Sequence, residues 1–137
     1  MNLKHLAATA ALTALIVGGG ASVAGATSTT TVVGTVRQLS QHMSEGSDAA
    51  KAGDTAALST ACSEMGDDAS TFLTYSKPRG YPRAAWRLAR SGMRHLMTAA
   101  PACVYGADNY DTASLQLAAS EMQTGGGLIS RAAALAS

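Results

Sequence analysis

The chain has 137 residues, of which 47% are hydrophobic and 14% charged, with a net charge of +1. This is enough apolar material for one domain with a core, and too little charge for a disordered chain or a general nucleic-acid binder. With four Tyr, one Trp and one Phe, the core must come from Ala, Leu, Val and Met, a helix-favouring set; a multidomain enzyme, a collagenous chain, a coiled-coil rod and a polytopic membrane protein are excluded.

Residues 1–26 have the three zones of a cleavable export signal. Lys4 and His5 form a basic start, Leu6 to Val17 an apolar run, and Ala24-Gly25-Ala26 a small-residue cleavage site. The run falls short of the roughly 20 residues that span a bilayer, and three glycines follow it. Cleavage after Ala26 predicts a secreted, extracytoplasmic domain over 27–137 with no transmembrane span. Removing Lys4 leaves nine basic residues against nine acidic ones. In an oxidising compartment the two cysteines, Cys62 and Cys103, are most simply one structural disulfide, since there is no C-x-x-C and no nearby histidine to make them redox or metal thiols.

From residue 29 onward apolar residues recur at spacings of three and four. Val32, Val36, Leu39, Met43 and Ala50 define a first helical stripe. Gly53 breaks it, and Asp54 caps a second helix carrying Leu58, Cys62, Met65, Ala69 and Phe72. The turn Lys77-Pro78-Arg79-Gly80-Tyr81-Pro82 leads into a third, carrying Trp86, Ala89, Met93, Leu96, Ala100 and Cys103, expected to loosen at Pro101 and stop near Gly106. Asp108, Asn109 and Asp111 offer caps for a fourth, with Leu115, Ala118, Met122, Ile129, Ala132 and Leu135 or Ala136 facing inward. Gly125-Gly126-Gly127 should either break this helix or allow a close backbone approach. The fold predicted is all-α, an antiparallel four-helix bundle with one disulfide. Its least secure joint is the helix 2–helix 3 hairpin, where the cysteines sit at unequal distances from the connecting turn.

Chemistry is sparse. The sequence has no G-x-S-x-G, no H-E-x-x-H and no phosphate-cradling glycine loop, which points away from an enzyme. Arg83, Arg87, Arg90 and Arg94 are spaced 4, 3 and 4 and form a continuous stripe on helix 3 beside its core face. Either Glu64, Asp67 and Asp68 of helix 2 pair with this stripe, or it forms, with Tyr81, an anion-binding face for a cell-envelope component or an acidic protein partner. His42 and His95 are the alternative site: two histidines without a clustered carboxylate or thiolate are too few for a catalytic metal but could ligate haem in an apolar slot. The methionines read as gap-filling in an Ala-rich core, or as an adaptable pocket for a hydrophobic small molecule.

Ala52-Gly53-Asp54, the cysteine eight residues after that Asp, Pro82 and Trp86, and Ala99-Ala100-Pro101-Ala102-Cys103-Val104-Tyr105-Gly106 form a pattern over nearly the whole exported part. Asp111, Leu115, Ala118, Met122 and Gly125 continue it into the last helix. The pattern resembles small exported, disulfide-containing helical-bundle proteins of actinobacteria. The resemblance implies export and the bundle fold; that group has no assigned chemistry, so no catalytic residue is implied. The expectation is a secreted, non-catalytic interaction protein with the arginine stripe as its binding face, or alternatively a carrier of haem or another hydrophobic small molecule.

Overall fold

A computed structural model describes residues 27–137, and the expected export segment, 1–26, lies outside them. The described chain forms four helices: α1 (Thr29–Ala52), α2 (Thr55–Thr74), α3 (Arg83–Asn109) and α4 (Thr112–Ala136). At 24, 20, 27 and 25 residues they are about 30 to 40 Å long. Consecutive helices run antiparallel, as the predicted bundle requires. Backbones come within 8 Å only between neighbours in the chain: α1 with α2, α2 with α3, α3 with α4. No helix among the described residues is long and apolar enough to cross a membrane.

Side chains at the helix ends satisfy backbone donors that have no partner within the helix. Ser28 accepts from the Thr31 amide, Asp54 from Ala57 and Asp111 from Ser114, so two of the expected aspartate caps are in place. The Ser114 hydroxyl and amide, both bonded to Asp111, hold its carboxyl below the usual carboxylate range. Gly53 ends α1 at φ 71, and its amide donates to the Ala49 and Ala50 carbonyls. Thr27 and Ser76 bond to each other through side chain and backbone, tying the start of the described chain to the connection after α2.

Three local expectations change. Helix α3 continues through Pro101 and past Gly106 to Asn109. Pro101 lies on the exposed side, where water can reach the Met97 carbonyl left without an amide partner. Gly106 packs against Leu115 of α4 in the body of the helix, and the stop comes at Tyr110, which takes the left-handed conformation at φ 55. In α4 Ala132 faces inward as expected and Ala133 beside it is also buried, while Leu135 is 54% exposed and Ala136 half-buried.

The core divides into two ends. One holds Val32, Val36 and Leu39 of α1 with Met65, Phe72, Trp86, Met93, Leu96 and Ile129. Four of the six aromatic residues gather there: Phe72 and Trp86 have ring centroids 5.0 Å apart, Tyr81 meets Trp86 edge-on at 5.9 Å, and Tyr75 lies 6.2 Å from Phe72. The other end is built from Ala49, Ala50, Leu58, Ala107, Leu115 and Ala118 around Cys62 and Cys103. The two cysteines form the predicted disulfide between α2 and α3, with Cα atoms 6.0 Å apart.

Two glycines set the spacing of α3 and α4. A Cβ on Gly92 would lie 2.7 Å from the Gly125 carbonyl oxygen, and one on Gly125 would lie 2.8 Å from that of Gly92. The glycine run is therefore unbroken helix, with its first member used for close approach and the next two facing open space. The unequal distances to the cysteines are absorbed by the connection. Cys62 to Thr74 covers about 18 Å of α2 and Arg83 to Cys103 about 30 Å of α3. Residues 75–82 span the difference, with extended backbone at Tyr75 (ψ 142) and Pro82 (ψ 133) and a turn at Arg79–Gly80 between them, closed by the Tyr81 amide on the Pro78 carbonyl.

Gly92→Ala should destabilise the protein by about 1–3 kcal/mol through overpacking against Gly125 and Ile129, whereas Gly126→Ala should stabilise it by about 0.5–1 kcal/mol; urea unfolding of the two variants separates these signs. Replacing exposed Tyr110 by Gly should raise the unfolding free energy by about 0.5–1 kcal/mol by relieving its positive φ. Removing the bridge in a Cys62→Ala, Cys103→Ala variant should cost about 4 kcal/mol for a loop of this length, read in the same experiment.

Candidate functional site

Helix α3 starts immediately after Pro82, whose φ of −60 suits a helix entrance, so the arginine series begins at the first helical residue. The spacing of 4, 3 and 4 keeps Arg83, Arg87, Arg90 and Arg94 on one flank, and the structure divides them into two kinds. Arg90 is half-buried, and its Nη1 donates to the Leu73 carbonyl at 2.8 Å and the Tyr75 carbonyl at 3.3 Å. These are carbonyls at the C-terminal end of α2, which lack helical partners, so Arg90 closes α2 against α3. Arg83, Arg87 and Arg94 are exposed and make no ion pair or hydrogen bond among the described residues.

The expected pairing of the stripe with helix 2 acids is absent, and helical rotation explains it. On α2, Cys62, Gly66, Phe72 and Leu73 all meet α3. Glu64 and Asp68 lie about 160° and 120° around the helix from Cys62 and turn to α1. There His42 Nδ1 is 2.7 Å from Asp68 Oδ2, and its Nε2 is 3.6 Å from Glu64 Oε2. Asp67 is exposed on the outer side.

The α3 flank continues beyond the arginines in a different chemistry. Met97, Pro101 and Tyr105 follow Arg94 at helical spacing and are exposed, Met97 by 41% and Tyr105 by 57%. Tyr81 does not join this face. Its ring packs on Trp86, its hydroxyl is buried with no hydrogen-bond partner, and burial pushes its phenol pKa up. The nearby Lys77 ammonium closes the turn by donating to the Pro78 and Tyr81 carbonyls, and Arg79 in the same connection is exposed.

The two histidines proposed as haem ligands face carboxylates in separate helix pairs. His42 of α1 meets Asp68 of α2, and His95 of α3 meets Glu121 of α4 with 2.5 Å between Nδ1 and Oε2. Each imidazole lies in a seam between two helices, with its Nδ1 occupied, rather than opposite the other across an apolar slot. The sequence reading missed Glu64, Asp68 and Glu121 as histidine partners. Both hydrogen-bonded pairs are 26 residues apart. Folding each hairpin back about its short connection, at Gly53 and at Tyr110, is the one signal that brings them level. Compared with known proteins, the chain matches no family model, no curated protein and no solved structure.

Proposed function

We propose that the protein is an exported, non-catalytic interaction protein that works at or outside the cell envelope and holds an anionic partner on the outer flank of α3. The observation that carries this reading is the set of three exposed guanidinium groups, Arg83, Arg87 and Arg94, which make no ion pair among the described residues. They extend about 16 Å along one side of a rigid helix. Guanidinium groups present planar donor forks that match phosphate and carboxylate oxygens, and a fixed row of them selects an extended anionic surface over a single small ion. Arg90 supports the row by fixing α3 to the end of α2. Met97 and Tyr105 extend it with residue types that are enriched, like Arg, at interface cores. The Cys62–Cys103 bridge suits an oxidising compartment, which favours the extracytoplasmic setting.

Vesicles containing phosphatidylglycerol provide the test surface, with phosphatidylcholine vesicles as the neutral control. The protein should sediment with the anionic vesicles alone, and less so as salt rises. The triple variant Arg83→Glu, Arg87→Glu, Arg94→Glu should lose at least about two orders of magnitude in affinity, because each basic residue near an anionic surface contributes about 1 kcal/mol and each glutamate adds repulsion. Its helical circular dichroism should be unchanged, since none of the three holds another residue. Equal sedimentation of variant and parent, or no preference for anionic over neutral vesicles, would refute the lipid form of this reading; the same variant pair applied to cell-envelope fractions tests polymer and protein partners.

A further inference from the structure

On the opposite flank of α2 from the arginines, α1 and α2 bring a histidine and three carboxylates together. Nδ1 of His42 is occupied by Asp68 at 2.7 Å, so the proton on that nitrogen has a fixed acceptor and the lone pair of Nε2 is left facing outward. Near this imidazole are Glu45, one helical turn further along α1, and Glu64 of α2. One ligand atom from each of His42, Glu45 and Glu64 lies within 4.8 Å of the other two. Nε2 stands 3.6 Å from Glu64 Oε2, too far for a hydrogen bond. It is close to the edge of about 3.3 Å that separates two ligands each about 2.0–2.1 Å from a shared tetrahedral ion. No Lys or Arg pairs with Glu45, Glu64 or Asp68 among the described residues; the nearest cation in sequence, Lys51, pairs with Asp48.

We propose that His42, Glu45 and Glu64 bind one divalent transition-metal ion of the zinc class, with Asp68 as the positioning residue that orients the imidazole. A carboxylate on the far nitrogen of a metal-binding histidine fixes its tautomer and ring orientation, which is the role this geometry gives Asp68. An imidazole nitrogen among the donors favours zinc-class ions over calcium or magnesium, which prefer all-oxygen shells. Three protein donors leave a fourth position. Glu64 is 46% exposed at its side chain, so that position opens to solvent and takes water or a donor from a partner. Gln41 donates to one Glu45 oxygen at 2.8 Å and leaves the other for the ion. This site is independent of the arginine face, and either can fail without the other.

Isothermal titration of the untagged, disulfide-bonded protein with zinc chloride tests the proposal, with cobalt(II) absorption as a readout of coordination geometry. One equivalent should bind, cobalt should give the intense visible bands of a four-coordinate site, and equimolar calcium or magnesium should not compete. The double variant Glu45→Gln, Glu64→Gln keeps the shape of both exposed side chains and should abolish binding with circular dichroism unchanged. Asp68→Asn should weaken binding about 10- to 100-fold, while His95→Gln should leave it intact. Absence of saturable zinc uptake, uptake that survives the double glutamine variant, or uptake removed by His95→Gln would each overturn the assignment.

Discussion

The constraint behind this structure is a shortage of bulk. With one Phe, one Trp and a core drawn mainly from Ala, Leu, Val and Met, the helices gain enough contact only by approaching closely. Gly92 and Gly125 permit that approach between α3 and α4, and Gly66 permits it between α2 and α3, where an added Cβ would lie 2.8 Å from that of Ala100. Small side chains also explain the division of the core. The large residues are concentrated at one end, around Phe72 and Trp86, and the Ala-lined end contains the disulfide.

The pair α2–α3 is consequently the spine of the molecule, fastened at the alanine end by a covalent bond and at the aromatic end by ring packing and the Arg90 guanidinium. The outer helices attach to one spine helix each, and each attachment includes a histidine facing a carboxylate, His42 with Asp68 and His95 with Glu121. This layout decides which charges are free. Glu64 and Asp68 of α2 turn to the α1 seam, and the basic flank of α3 makes no ion pair among the described residues. The arginine edge and the histidine-carboxylate cluster are thus two results of one rotational setting of α2.

Much of the fold was legible in the chain because a helical period fixes which residues share a face. The stripes through Leu39, Met65, Leu96 and Ile129 are buried as their spacing implies, Asp54 and Asp111 cap as their positions after a breaker or loop suggest, and the two cysteines pair. What the period does not contain is the rotation and axial offset of a neighbouring helix. Glu64 and Arg94 sit on adjacent helices with opposite charge, yet the α2 face turned toward α3 carries Cys62 and Gly66, so the two never meet. The same gap hid Asp68 and Glu121 from the histidines, and the role of Arg90, whose partners are backbone carbonyls with no sequence signature. Basic neighbours suggest that Tyr81 belongs to a surface patch, but the turn at Arg79–Gly80 folds its ring onto Trp86. The spacing puts Ala132 inside, as observed, and Leu135 or Ala136 after it, whereas Ala133 is buried, Ala136 is half-buried and Leu135 is exposed.

The position of Trp86 has an optical consequence. As the sole tryptophan, packed on Phe72 and Tyr81 at one end of the spine, it makes ultraviolet emission from this molecule a local signal. Its emission follows the docking of the 75–82 connection and the first turns of α3, close to the arginine edge. It is nearly blind to loosening of the alanine end around the cysteine bridge. Emission and far-ultraviolet dichroism recorded along one denaturation curve would then compare an end with the whole, and their separation or coincidence would reveal whether the two halves of the core melt together.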